Sequence, residues 1–231
     1  MSKIEIRTAD GVCPAYELGT GPSVLLFMDG IGMRQVLVDM AERVAAAGYH
    51  VLMPDLFYRA GAYTAPDPKK LFSDEAVRKE HWAKFMAVSS VAGSMRDTEA
   101  FLAKLPGKVV VTGYCMGGRL ALSAAGTFPD RIAGAAAFHP GGLATDAPDS
   151  PHLLADKIKA KVYVAAASED QSFPAEQIAK LEQALTAAHV DHTIETYPCK
   201  HGWTMSDTPV YDAAGTQRHD KALFDLCKSV L

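Results

Sequence analysis

The sequence contains no CxxC pair, and its four cysteines, Cys13, Cys115, Cys199 and Cys227, are scattered over 231 residues. That spacing excludes a disulfide scaffold and argues against a structural zinc site. No apolar run approaches the roughly 18–20 residues a membrane span needs. The opening MSKIEIRTADGV lacks the apolar core of a signal peptide. The expectation is a cytoplasmic protein with free thiols and no membrane partner. Lys and Arg number 23 against 27 Asp and Glu, a formal charge of −4 with no basic run, so no nucleic-acid partner is expected. Repeats, low-complexity tracts and linkers are also missing. With 48% of its residues hydrophobic, the chain reads as one domain over residues 1–231, large enough to bury a substantial core.

What is present is an alternation. Residues 3–7 and 12–18 flank the turn signal ADG and read as a hairpin. SVLLFM (23–28), HVLMP (50–54), KVVVTG (108–113), RIAGAAAFH (131–139) and KVYVAAAS (161–168) are continuous apolar strands. Such runs suit strands covered on both faces. Helical spacing separates them, at QVLVDMAERVAAAG, from Ser73 as N-cap to about Leu105 with a split near Gly93, at 116–126, and at PAEQIAKLEQALTAAH. DHTIETYP is a last strand and residues 216–230 a last helix. The pattern predicts an α/β fold with a mostly parallel sheet of about seven or eight strands. In such sheets the chemistry lies beyond the carboxyl ends of the strands.

One strand end stands out. GYCMGG places Cys115 between Gly113 and Gly117, after a strand and before a helix. This is the nucleophile-elbow pattern, in which side chains two residues to either side of the nucleophile would collide with neighbouring backbone. The following helix presents its N-terminus to the sulfur, which favours thiolate over thiol. The other cysteines read as small buried filler. A thiol nucleophile needs a base, and the base needs an orienter. In this arrangement chain order runs nucleophile, acid, histidine. Asp170 follows the strand KVYVAAAS, and His201 follows DHTIETYP. Asp146, Asp149 and Glu169 are the competing acids. His189, His192 and His219 fall on a helix end, a strand start and a helix interior.

An oxyanion hole requires two backbone donors. Met116 N–H is one candidate; Gly30 or Ile31, after SVLLFM, supplies the other. Asp29, in the same loop, is either an Asx-turn or cap residue or a partner of the Cys115 thiol. His139, in FHPGG, either contacts substrate or packs. Tyr114 either lines the pocket or packs beneath it.

These motifs resemble the dienelactone hydrolase (carboxymethylenebutenolidase) family. GYCMGG is similar to its cysteine elbow, the D-x-x-x-P at 170–174 to its acid loop, HGW at 201–203 to its histidine motif, and GYHVLMPDLFYR to the strand and loop before its substrate region. The resemblance spans nearly the whole chain. It implies an α/β-hydrolase fold without a large cap, and hydrolysis of a small ester or lactone through an acyl-thiol intermediate without metal or cofactor. Cys115 would be the nucleophile, His201 the base and Asp170 its orienter. In the best-studied branch a glutamate at the position of Asp29 holds the resting cysteine. Two arginines there bind the substrate carboxylate. One corresponds to Met205, the other to Arg78 or Lys79. Trp82 and Phe85 correspond to aromatic residues of the substrate region. Ile31 and Trp203 complete the candidate substrate contacts. Met205 in place of an arginine implies a more apolar pocket, suited to a neutral or smaller ester. The expected assembly is a monomer or weak homo-oligomer.

Two other classes share parts of this pattern. Gly30-x-Gly32 after a strand, with Asp55 ending the next one, mimics a dinucleotide fingerprint, but Gln35 stands at the third glycine position. A non-catalytic binder on the same fold would leave Cys115 inert. A thioesterase or acyl transferase would use the same three residues.

Overall fold

A computed structural model describes all 231 residues. Its centre is an eight-stranded sheet ordered β1-β2-β4-β3-β5-β6-β7-β8. The strands are β1 (Ser2–Thr8), β2 (Gly11–Leu18), β3 (Ser23–Phe27), β4 (His50–Pro54), β5 (Val109–Tyr114), β6 (Ile132–Phe138), β7 (Lys161–Ala167) and β8 (His192–Tyr197). The β1–β2 hairpin and the β2–β4 pairing are antiparallel, and all other pairings are parallel. The helices are α1 (Gln35–Ala46), α2 (Pro68–Ser73), α3 (Glu75–Met86), α4 (Val91–Leu102), α5 (Met116–Thr127), α6 (Ala175–Ala187) and α7 (Ala213–Val230). None is long and apolar enough to cross a membrane.

Every residue of β3 and β5 is buried. Their apolar runs reflect helices on both faces, and they belong to a single core cluster of 61 residues. β6 is rich in alanine because α5 packs closely over it; Gly118 of α5 sits against Ala137 and Pro140. The chain leaves β3 toward β4 and later crosses back to β5 on the other side of β3. That reversal opens a crevice at the carboxyl ends of β3 and β5, where α/β sheets bind ligands.

The stretch after β4 departs from the sequence reading. Asp67 and Pro68 start a short helix, α2, inside what reads as loop. Ser73 ends that helix, and Asp74 caps α3, accepting from Ala76 and Val77 N–H. The break comes at residues 87–90, ahead of the Ser90 cap, so Gly93 lies inside α4 and donates to Ser90 Oγ. The local reason is capping strength: Asp and Ser side chains satisfy the first free N–H groups better than glycine ends a helix at its third residue.

Candidate active site

Cys115 lies between β5 and α5 with φ 53° and ψ −114°, a region L-residues rarely adopt. Cys115 N–H donates to Phe138 O (3.1 Å), and Gly118 N–H donates back to Cys115 O (3.1 Å). A Cβ on Gly113 would overlap the Gly117 carbonyl, and one on Gly117 would overlap the carbonyls of Phe27 and Met28. The glycines therefore let α5 start directly over the end of β3. Met116, as the first helical residue, has an N–H without an intrahelical partner. Gly30 N–H donates to no protein acceptor, and Gly30 O accepts from the buried His81 Nε2 (2.8 Å). Ile31 N–H is already donated to Asp29 Oδ1 (3.0 Å). Of the two candidates in this loop, Gly30 is the one with a free donor.

His201 Nδ1 meets Asp170 Oδ2 at 2.6 Å, while Asp170 Oδ1 accepts from Ser172 N–H (2.8 Å). Burial opposes a charged imidazole here. The nearby Cys115 sulfur and the Asp170 carboxylate outweigh it, and the His201 pKa is raised to about 10. Burial likewise opposes the Asp170 carboxylate, but the His201 hydrogen bond prevails and its pKa is lowered. Asp146 pairs instead with Lys180 and Asp149 with Arg119.

Cys115, His201 and Asp29 share a cavity of about 230 Å³ with Gly30, Ile31, Phe72, Trp82, His139, Met205 and Val210 among its walls. Its surface is predominantly apolar. A larger groove of about 300 Å³ lies between α7 and the β8 edge, lined by Lys161, Glu195 and Arg218 and by none of these groups.

Four candidate substrate residues sit elsewhere. Arg78 turns back to donate to Phe72 O (3.1 Å), and Lys79 is exposed on α3; neither lines the cavity. Tyr114 is fully buried beneath the elbow, its hydroxyl bonded to His219 Nε2 (2.9 Å). A strand side chain one residue before Cys115 points to the opposite side of the sheet end. Trp203 is also fully buried, stacked on Tyr197 and edge-on to His139. His139 borders the cavity and shares a hydrogen bond with Thr204 Oγ1 (2.8 Å); its buried Nδ1 has no partner. Burial, and then the charge of His201, push its pKa well below the usual histidine value. It is a neutral wall of the pocket.

Sequence reasoning missed Arg34. Its guanidinium bonds both oxygens of Asp29 (2.7 and 2.9 Å), Gly32 O (3.1 Å) and both oxygens of Asp207 (2.7 and 3.3 Å). Asp29 is thus an Asx-turn residue and half of an ion pair, with both oxygens engaged. An arginine at a helix start looks in sequence like any solvated cation. The one available signal was the lack of a capping side chain ahead of α1. Phe72 of α2, His81 of α3, and Thr208 and Val210 of the loop after β8 were missed too, because only the tertiary fold brings these segments together. In the Gly30–Gly32 loop the backbone serves this ion pair, and Asp55 is bonded to Phe57 N–H and Tyr63 Oη.

The strand order, the strained cysteine between two obligatory glycines and the strand-end histidine–carboxylate pair define an α/β-hydrolase. The dienelactone hydrolase family model matches residues 12–231, and the chain belongs to that family. A Methylorubrum extorquens relative, provisionally named a carboxymethylenebutenolidase, is 29% identical over 235 residues, covering 96% of this chain and 79% of its own. The carboxymethylenebutenolidase of Rhodococcus opacus is 27% identical over 183 residues, covering 78% of this chain and 69% of its own. Among solved structures, a provisionally named dienelactone hydrolase from Klebsiella pneumoniae superposes with a TM-score of 0.82 at 20% identity, over 97% of this chain and 96% of its own. A dienelactone hydrolase-like promiscuous phosphotriesterase from metagenomic libraries superposes at 0.73 with 21% identity, over 99% and 98%. At such identities the structural likeness establishes the fold.

Proposed function

We propose that this hydrolase cleaves a small neutral ester or lactone, with Cys115 as nucleophile, His201 as general base and acid, and Asp170 as its orienter. The observation that carries the reading is the 2.6 Å His201–Asp170 hydrogen bond at the cavity that also holds the strained elbow cysteine. The Cys115 sulfur attacks the carbonyl carbon, and the developing oxyanion is received by the N–H groups of Met116 and Gly30. His201 donates a proton to the departing oxygen. It then takes one from water as that water attacks the thioester, releasing the acid and restoring the sulfur.

The neutral-substrate part rests on charge. No arginine or lysine lines this cavity; Arg34, bonded to its wall residue Asp29, has all five N–H donors engaged by Asp29, Gly32 and Asp207, and Arg78 turns to Phe72 O. Met205, buried in the cavity wall, offers no charge. Phe72, Trp82, Ile31 and Val210 favour an apolar substituent.

The test is hydrolysis of a short panel: p-nitrophenyl acetate, neutral lactones, and dienelactones with and without a carboxylate. Cys115→Ala is expected to abolish hydrolysis and the labelling of the most reactive thiol by iodoacetamide. Full activity in that variant overturns the mechanism; strong preference for the carboxylate-bearing dienelactone overturns the substrate class.

A further inference from the structure

The Arg34 guanidinium is more deeply committed than any other cation in the molecule. Its side chain is 9% exposed, and its partner Asp29 is 4% exposed. Two separate segments meet on it. Asp29 and Gly32 belong to the loop after β3, which also carries the free N–H of Gly30. Asp207 belongs to the segment after β8, which carries His201 and Met205. Planar two-oxygen contacts on both sides fix relative orientation as well as distance. The Asp29 end is close to the chemistry. The carbonyls of Phe27 and Met28 abut Gly117, two residues after the nucleophile, and Asp29 walls the same cavity as Cys115.

A carboxylate in that place opposes a thiolate. Left unpaired, Asp29 either keeps its charge near the sulfur or takes a proton and hydrogen-bonds the sulfur. Both make the nucleophile less available. The titratable groups lining the cavity with Cys115 are Asp29 from the loop after β3, His139 after β6 and His201 after β8, with His81 of α3 bonded behind to Gly30 O and Asp170 after β7 bonded behind to His201. Only Asp29 among them brings negative charge that the Cys115–His201–Asp170 set does not itself use.

We propose that Arg34 is a positioning residue for the reaction at Cys115: it neutralises Asp29 in the cavity that holds the sulfur and locks the loop bearing the oxyanion donor to the segment bearing His201. The proposal rests on the cysteine-hydrolase reading above. It adds a requirement that reading lacks, a buried cation that never touches substrate. It also accounts for a buried arginine whose every donor is spent on two loops of the site.

The two roles separate by experiment. Site-specific iodoacetamide labelling of Cys115, followed by mass spectrometry from pH 5 to 9, reads the thiolate without any ester. Arg34→Met is expected to slow labelling near neutral pH about tenfold, since an unpaired carboxylate in the same cavity disfavours the thiolate. Arg34→Met combined with Asp29→Asn is expected to recover labelling to within about threefold of the unmodified protein, a rescue that general structural damage would not produce. Arg34→Lys and Asp207→Asn keep a cation at Asp29 but lose the fork across the loops. They are expected to label normally, yet to lose about tenfold or more in kcat on p-nitrophenyl acetate with KM within about threefold, the signature of misplaced catalytic groups. Circular dichroism and thermal unfolding establish that each variant is folded; if Arg34→Met is not, Arg34→Lys and Asp207→Asn carry the test. Unchanged labelling in folded Arg34→Met, or no rescue by Asp29→Asn, overturns the electrostatic role. Unchanged kcat in Arg34→Lys and Asp207→Asn overturns the locking role. If the unmodified protein hydrolyses none of the esters, the function reading fails while the labelling results still decide the role of Arg34 at the sulfur.

Discussion

Replacing Cys115 by glycine is expected to give a more stable protein than replacing it by alanine, with hydrolytic activity destroyed in both. Cys115 sits at φ 53° and ψ −114°, where a Cβ costs on the order of 1–3 kcal/mol. Glycine removes that strain but adds about 0.5–1 kcal/mol of unfolded-chain entropy. The control is Cys115→Ala, which also loses the sulfur and its interaction with His201 but keeps the Cβ. The difference between the two variants therefore isolates backbone strain. Glycine should exceed alanine by about 0.5–2 kcal/mol, or about 1–8 °C in Tm for a chain of this size. At an ordinary position the sign is the reverse, because glycine is the destabilising residue there. Urea unfolding and differential scanning calorimetry at one pH measure the difference. An alanine variant as stable as the glycine variant, or more so, refutes the claim that the elbow holds strain.

Three further outcomes follow from the same geometry. The His201 pKa is raised to about 10, so its contribution to stability is fully present below its unfolded value near 6.5 and is lost as pH rises through about 10. Between pH 7 and 10 the unmodified protein should lose on the order of a few kcal/mol more stability than His201→Gln, by urea midpoints at the two pH values; equal losses refute the raised pKa. Asp170→Asn removes the acceptor that fixes the His201 Nδ1 proton, and kcat is expected to fall by about 10³–10⁴; a kcat within tenfold of normal excludes Asp170 as orienter. Tyr114→Phe leaves His219 Nε2 unpaired in the core, at a cost of about 1–3 kcal/mol in unfolding experiments, with KM within about twofold. A KM raised more than tenfold would return Tyr114 to the pocket.

The inner strands β3 to β7 were legible because each is a short apolar run closed by Gly, Pro or a polar residue, and burial on both faces leaves little room for other patterns; β1, β2 and β8 are part-exposed and alternate instead. The strand ends then pointed to Cys115, Asp170 and His201, and the structure brings the three to one end of the sheet. Helix boundaries between residues 68 and 102 were less legible. There, side-chain caps at Asp67, Asp74 and Ser90 compete over one or two residues. Substrate-wall residues were least legible. Arg78 and Trp82 lie on one helix, yet Trp82 meets Gly30 while Arg78 folds back onto Phe72 O. Nothing in local spacing separates those two outcomes.

By itself the sequence determined the layered α/β architecture, the strain at Cys115 and the chain order of the catalytic candidates. These depend on local chemistry: apolar periodicity, and glycines where a Cβ has no room. Only the tertiary structure decided which of the remaining groups reach the sulfur. It placed Tyr114 and Trp203 in the core and walled the cavity with Phe72 and Val210. It joined Asp29 to Asp207 through Arg34, with Arg34 and Asp207 173 positions apart in sequence. Ion pairs of that kind are set by which loops the sheet order makes neighbours, and side-chain charge in one dimension carries no record of that.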